Sequence, residues 1–119
     1  MAQPLPNYLR TYRKHAGFSQ PEVAFLLGCR HGSLVSRHEQ FRRRPSLEVA
    51  LAYEALFQVS GRELFAGLYR KVARETAVRA EALSERVASE RRSRLVARKL
   101  AALRTATEPS AAISADHAR

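Results

Sequence analysis

Residues 29–40 read CRHGSLVSRHEQ, with one cysteine, two histidines and a glutamate in twelve positions. Cys29, His31, His38 and Glu39 are all of a type that ligates metal. Their spacing argues against a shared ion. His31 and His38 are seven residues apart, about 10 Å on a helix, whereas zinc ligands each sit about 2 Å from the ion. Cys29 and His31 are close enough to share a metal, but two ligands do not close a site, and His15 and His117 follow no ligand spacing. The alternative is that this stretch is a turn followed by a polar helix, with its ligand-like residues serving other purposes. The flanking sequence supports that alternative.

Upstream, Asn7 opens a segment, YLRTYRKHA, in which Leu9, Tyr12 and Ala16 have helical spacing, and Gly17 supplies a stop. Ser19-Gln20-Pro21-Glu22 then has the form of a capping box. Ser19 can accept from the backbone at Glu22, Glu22 can return the bond, and Pro21 is tolerated in a first turn. Val23, Leu26 and Leu27 give that second helix an apolar face, and Gly28 ends it. The quoted stretch supplies a third helix over about residues 32–41. Arg42-Arg43-Arg44-Pro45 forms a basic connector. Ser46 caps a fourth helix whose Leu47, Ala50, Leu51 and Leu56 are expected to point inward. Ser60-Gly61-Arg62-Glu63 repeats the capping-box pattern before Leu64, Phe65 and Leu68. No segment alternates with period two, so no strand is expected.

After Gly67 there is no glycine, and no proline until Pro109. Ala, Arg, Glu and Leu dominate residues 62–105, and a single helix over that span would be about 60 Å long. Leu68, Val72, Thr76, Ala80, Leu83 and Val87 fall at steps of three or four, a narrow stripe of the coiled-coil kind. The sequence therefore predicts a helical arm over 67–105 and a disordered tail over 106–119.

At 119 residues the chain has room for one ordinary domain and an added arm. Lys and Arg number 21 against 11 Asp and Glu, a formal charge of +10. Such an excess fits a polyanionic partner, nucleic acid or an anionic membrane surface, and together with the helical content it favours nucleic acid. A lone cysteine precludes an intramolecular disulfide and fits a reducing cytoplasm. No apolar run reaches the length of a signal peptide or a membrane span.

On the residues LRTYRKHAGFSQPEVAFLLG, VSRHE, RRRPSLEVALAYEALF and VSGRELF, the sequence resembles the helix-turn-helix DNA-binding domain of the phage-repressor (XRE) type over about residues 6–66. The resemblance implies an all-α fold, a five-helix lambda-repressor-like domain with the C-terminal helical arm appended. It also assigns roles. Val35 is the apolar position that locks the recognition helix into the core. Gly32, Ser33 and Arg37, with Ser36 beside them, would face the bases, and the Arg37 fork matches guanine O6 and N7. Gln20 would hold a phosphate at the start of the second helix, and Arg30, His31, Arg42, Arg43 and Arg44 would supply further phosphate contacts. Arg13 and Glu39 match a partly buried salt bridge, which takes Glu39 out of any metal site. His38 would be semi-buried and hydrogen-bonded, and Cys29 a small hydrophobe.

Two departures stand out. Between Gly28 and Val35 the chain is one residue longer than in most members of that family, which leaves open whether Gly32 or Ser33 faces the bases. Gln40-Phe41 replaces the usual Asn-Gly, which predicts a looser exit from the third helix.

The resulting expectation is a cytoplasmic, sequence-specific double-stranded DNA-binding transcriptional regulator, a repressor. It would act as a homodimer with half-sites about 34 Å apart. Leu68, Val72, Leu83 and Val87 of the arm would pair the protomers. The alternative is an antitoxin-like protein whose arm binds a partner protein while the helix-turn-helix autoregulates. No glycine-rich phosphate loop, nucleophile motif or paired acids argue for an enzyme, and no metal, cofactor or membrane partner is expected.

Overall fold

The computed structural model describes residues 6–108, and among them every regular element is a helix. The chain divides into two compact units, the first through Leu68 and the second from Tyr69 onward. The first holds the five expected helices: α1 (Leu9–Ala16), α2 (Gln20–Leu26), α3 (Gly32–Glu39), α4 (Leu47–Phe57) and α5 (Gly61–Leu64). Next come α6 (Ala66–Ala88) and α7 (Arg94–Ala106). Ala106, where the tail was expected to begin, is the last residue of α7, and from residue 109 that expectation lies outside the described residues.

The boundaries of the first unit are set by short-range hydrogen bonds. Ser19 Oγ accepts from the Glu22 N–H at 3.2 Å, and the Ser19 N–H donates to Glu22 Oε1 at 2.8 Å, a complete capping box. Ser46 and Ser60 each accept from the backbone N–H three residues on. The second box is only half formed: Glu63 Oε1 accepts from the Tyr12 hydroxyl at 3.1 Å rather than from the Ser60 N–H.

The core of this unit is built from Leu9, Val23, Ala24, Val35, Tyr53, Leu64 and Phe65. Tyr53 stands at its centre, stacked on Phe57 with centroids 6.3 Å apart and edge-on to Phe65 at 6.2 Å. The inward face of α4 differs from the expected one. Leu47 and Leu51 are exposed, while Val49, Ala50, Tyr53, Leu56 and Phe57 turn to the core. In α2 likewise, Leu26 is exposed and Ala24 takes the buried place beside Val23. Both helices carry more apolar residues than one face can use, so periodicity does not choose the buried set.

In the second unit the region of the expected helical arm forms two helices, divided at residues 89–93. The Ser89 hydroxyl donates to the Arg86 carbonyl at 2.7 Å, and Ser93 Oγ accepts from the Val96 N–H at 3.1 Å, capping α7. Two serines thus offer the backbone local partners that compete with helix continuation. Ala73, Ala80 and Val87 on α6 are buried, as is Val96 on α7. The buried positions on α6 are seven residues apart, on one face of the helix. The stripe read from the sequence is therefore divided. Leu68 packs against the core of the first unit, Ala80 and Val87 are buried, and Val72, Thr76 and Leu83 stay exposed.

Candidate nucleic-acid interface

The turn between α2 and α3 begins at Gly28, whose φ of +75° lies in the left-handed region that a side chain disfavours. That conformation brings the Cys29 N–H back to the Ala24 carbonyl at 2.8 Å. Cys29 then packs, half-buried, against the core as a small hydrophobe. His31 is extended and precedes α3 without a side-chain cap bond. The turn runs from Gly28 to His31 before the helix begins, and Val35 is fully buried.

The structure separates the two residues whose register the longer turn left open. A Cβ on Gly32 would lie 2.9 Å from the Pro21 nitrogen and 3.2 Å from the Gln20 carbonyl carbon. Gly32 therefore serves the close approach of α3 to the first turn of α2, and its side is not open to a ligand. Ser33 is exposed, and so is Arg37, one turn on. Gln40, at the C-cap, is also exposed and falls seven residues after Ser33. The steps of four and three place Ser33, Arg37 and Gln40 on one helix face, with half-buried Ser36 beside them. Gln40 was missed in the sequence because it replaces a turn residue; its distance from Ser33 is the signal that would have found it. Gln40 Nε2 donates to Ser36 Oγ at 3.3 Å, which orients both.

The opposite face of α3 fixes its rotation. Arg13 grips Glu39 through two bonds, Nε to Oε2 at 2.5 Å and Nη2 to Oε1 at 3.2 Å. Its Nη1 donates to the Phe18 carbonyl at 3.0 Å. The pair is largely withdrawn from water, with side chains 11% and 4% exposed. The hydrogen bond to Glu39 raises the Arg13 pKa, outweighing burial. Gln20 joins them, its Nε2 donating to Glu39 Oε1 at 3.1 Å. One amide N–H of the expected phosphate ligand is therefore committed, leaving the other as its donor for an external group. This cluster ties α1 and the start of α2 to the last turn of α3.

His38 is buried, at 2% exposure. Its Nδ1 lies 3.0 Å from the Tyr53 hydroxyl, and its backbone carbonyl accepts from Asn7 Nδ2 at 3.0 Å. Burial, then the charge of Arg43, lowers its pKa, so the ring is neutral near pH 7. The structure therefore assigns His38 to the core and Glu39 to Arg13. Among the described residues no three His, Cys, Asp or Glu side chains gather as a metal site.

Past Gln40 the chain turns sharply. Phe41 adopts a φ of +57°, and the Arg42 N–H donates to the Arg37 carbonyl at 2.9 Å. The exit expected to be looser is as closed as a glycine would make it, at a cost of about 1–2 kcal/mol for a bulky residue in that region. Arg42, Arg43 and Arg44 follow, all exposed, and Arg30 and His31 are exposed before α3. Among the described residues none of these has a carboxylate within ion-pair distance. A hydrogen-bonding helix face of Ser33, Arg37 and Gln40, with the Arg37 charge at its centre, is thus bracketed by further cations at both ends.

A family model described as a helix-turn-helix domain matches residues 5–66. No curated protein and no solved structure matches the chain.

Proposed function

The chain belongs to the helix-turn-helix domain family, and from that premise we propose that it is a sequence-specific regulator of transcription, a repressor, that inserts α3 into the major groove of double-stranded DNA. The observation that carries this reading is the face of Ser33, Arg37 and Gln40, held outward by the burial of Val35, His38 and Glu39 behind it. Arg37 reads a guanine, Ser33, Ser36 and Gln40 adjust the fit, and Gly32 contributes only the closeness of α3 to α2. Gln20, Arg30, His31, Arg42, Arg43 and Arg44 hold phosphates and set the register. The regulator acts in the cytoplasm; no described helix is long and apolar enough to cross a membrane.

Selection of bound sequences from a random DNA pool gives the site against which variants are measured. Arg37→Ala is expected to weaken binding to that site by about 1–3 kcal/mol and to relax one base position. An unchanged ratio of specific to random affinity would show that this face does not read bases.

In this reading two protomers pair through the exposed apolar residues of α6. Val72 and Leu83 are 49% and 40% exposed, whereas Val87 is buried and Leu68 packs on the core of the first unit. The pairing surface is accordingly Val72 and Leu83. Val72→Asp with Leu83→Asp is expected to halve the mass measured in solution. The same residues fit the antitoxin-like alternative. A chain that is already a monomer, and whose DNA affinity ignores both substitutions, leaves them to a partner protein.

A further inference from the structure

The excess charge of this chain is not confined to the neighbourhood of α3. The sequence of α7, RLVARKLAALRTA, carries Arg94, Arg98, Lys99 and Arg104 and no acid. Arg91 and Arg92 precede it in the link. All six are exposed. Glu90 is the acid of the link, and it pairs with Lys99 at 3.8 Å. Among the described residues the five arginines have no carboxylate within ion-pair distance. α6 is different, because Glu75, Glu81 and Glu85 interleave with its cations. Solubility of a helix in this unit does not require a single sign.

Helix stability does not explain the pattern either. Cations favour the C-terminal end of a helix, and of the five arginines only Arg104 is there. Arg94 stands in the first turn, which holds no acid, with Arg91 and Arg92 just before it. The cationic run therefore opposes the helix dipole at its start, which costs stability and points to an external use.

The shape of the remaining surface narrows the partner. Val96 is buried, and Leu100 and Leu103 are half-buried on the same side. Arg94 and Arg98 lie opposite them, separated by one helical turn, with Ala101 and Thr105 continuing their face. A helix that lies on a membrane keeps its apolar side for lipid, whereas Val96, Leu100 and Leu103 of α7 are withdrawn and Leu95 alone of its large apolar residues is exposed. What α7 presents is Arg94 and Arg98 over small residues, with Arg104 on the flank one turn beyond Leu100, cations able to approach closely spaced phosphates. Arg94 to Arg104 spans about 15 Å of helix, and a duplex offers one charge per about 1.7 Å of axis over both strands. We propose that α7, with Arg91 and Arg92, is a second DNA-binding surface that holds the phosphate backbone of double-stranded DNA without reading its sequence.

The test uses the full chain and a random 30-base-pair duplex, with affinity followed from 50 to 200 mM salt. Arg94→Ala, Arg98→Ala and Arg104→Ala are combined. Each lost phosphate contact should flatten the salt slope by about 0.9, so over that range the unaltered protein should lose about 40-fold more affinity than the triple variant. The three sites are exposed and alanine favours helix, so folding is retained; the same triple change to glutamine must give the same result. Arg37→Ala with Arg42→Ala and Arg43→Ala supplies a background in which α3 is disabled. Residual duplex binding there, removed by the triple variant, supports the α7 surface even if α3 does not read DNA. An unchanged salt slope overturns it. So does tighter binding of the unaltered protein to polyglutamate or to phosphatidylglycerol vesicles than to the duplex at equal salt, with the triple variant losing that binding.

Discussion

Replacing Glu39 with glutamine is expected to lower the free energy of unfolding by about 3–5 kcal/mol, because it leaves the Arg13 guanidinium buried without a counter-charge. The amide can still accept from Arg13 and Gln20, so the loss measures charge rather than shape. Arg13 would keep only the Phe18 carbonyl as a full partner. The pair holds more than its own energy, since it joins α1, the first turn of α2 and the last turn of α3. Urea unfolding followed by circular dichroism checks the value, read from the midpoint at constant slope. Replacing both partners, Arg13→Met with Glu39→Leu, should recover most of the stability, because a well-packed apolar pair needs no compensation for buried charge. It should not recover DNA affinity, since Gln20 loses the acceptor that orients it. A single-variant loss below about 1 kcal/mol would place the pair in effectively exposed surroundings.

How much of this was legible in the sequence follows from how local each interaction is. Ser19 and Glu22, Ser46 and the glycine at 28 act within a few residues, and their motifs announced the helix ends correctly. The Arg13–Glu39 pair spans 26 residues, and only the resemblance to a known domain could suggest it. The choice between Gly32 and Ser33 depended on how nearly α3 approaches Pro21, a tertiary distance that no spacing rule contains. In α4, LEVALAYEALF is apolar on nearly every side, so Leu47 and Leu51 read as core residues while Tyr53, which fills the core, gives no stronger signal. The tyrosine won because its hydroxyl finds His38, fifteen residues upstream, inside the core. The break between α6 and α7 was hidden for the opposite reason. It uses neither glycine nor proline but two serine side chains, whose hydroxyls are helix-tolerant until they meet free backbone groups.

The Tyr53–His38 pair also makes stability depend on pH in a direction the structure fixes. Burial and Arg43 lower the His38 pKa below its ordinary value of 6.5, and burial pushes the Tyr53 phenol well up, so both are neutral at pH 7. The unfolded chain therefore binds a proton at His38 before the folded chain does as pH falls. Stability is at its full value above about pH 6.5 and declines below it, toward the lower pKa of the folded state. In His38→Gln the difference in unfolding free energy between pH 7 and pH 5 should shrink, even though the absolute stability is lower. Tyr53→Phe is expected to cost about 1–3 kcal/mol, because Nδ1 loses its partner in a site without water access. Tyr53→Ala should cost about 3–5 kcal/mol, because it also removes the ring between Phe57, Phe65 and His38. The ordering carries the argument: if phenylalanine were as damaging as alanine, the hydroxyl rather than the ring would dominate the core. If both were harmless, α3 would have to be held by Val35 and Glu39 alone, and its DNA affinity would then be indifferent to Tyr53.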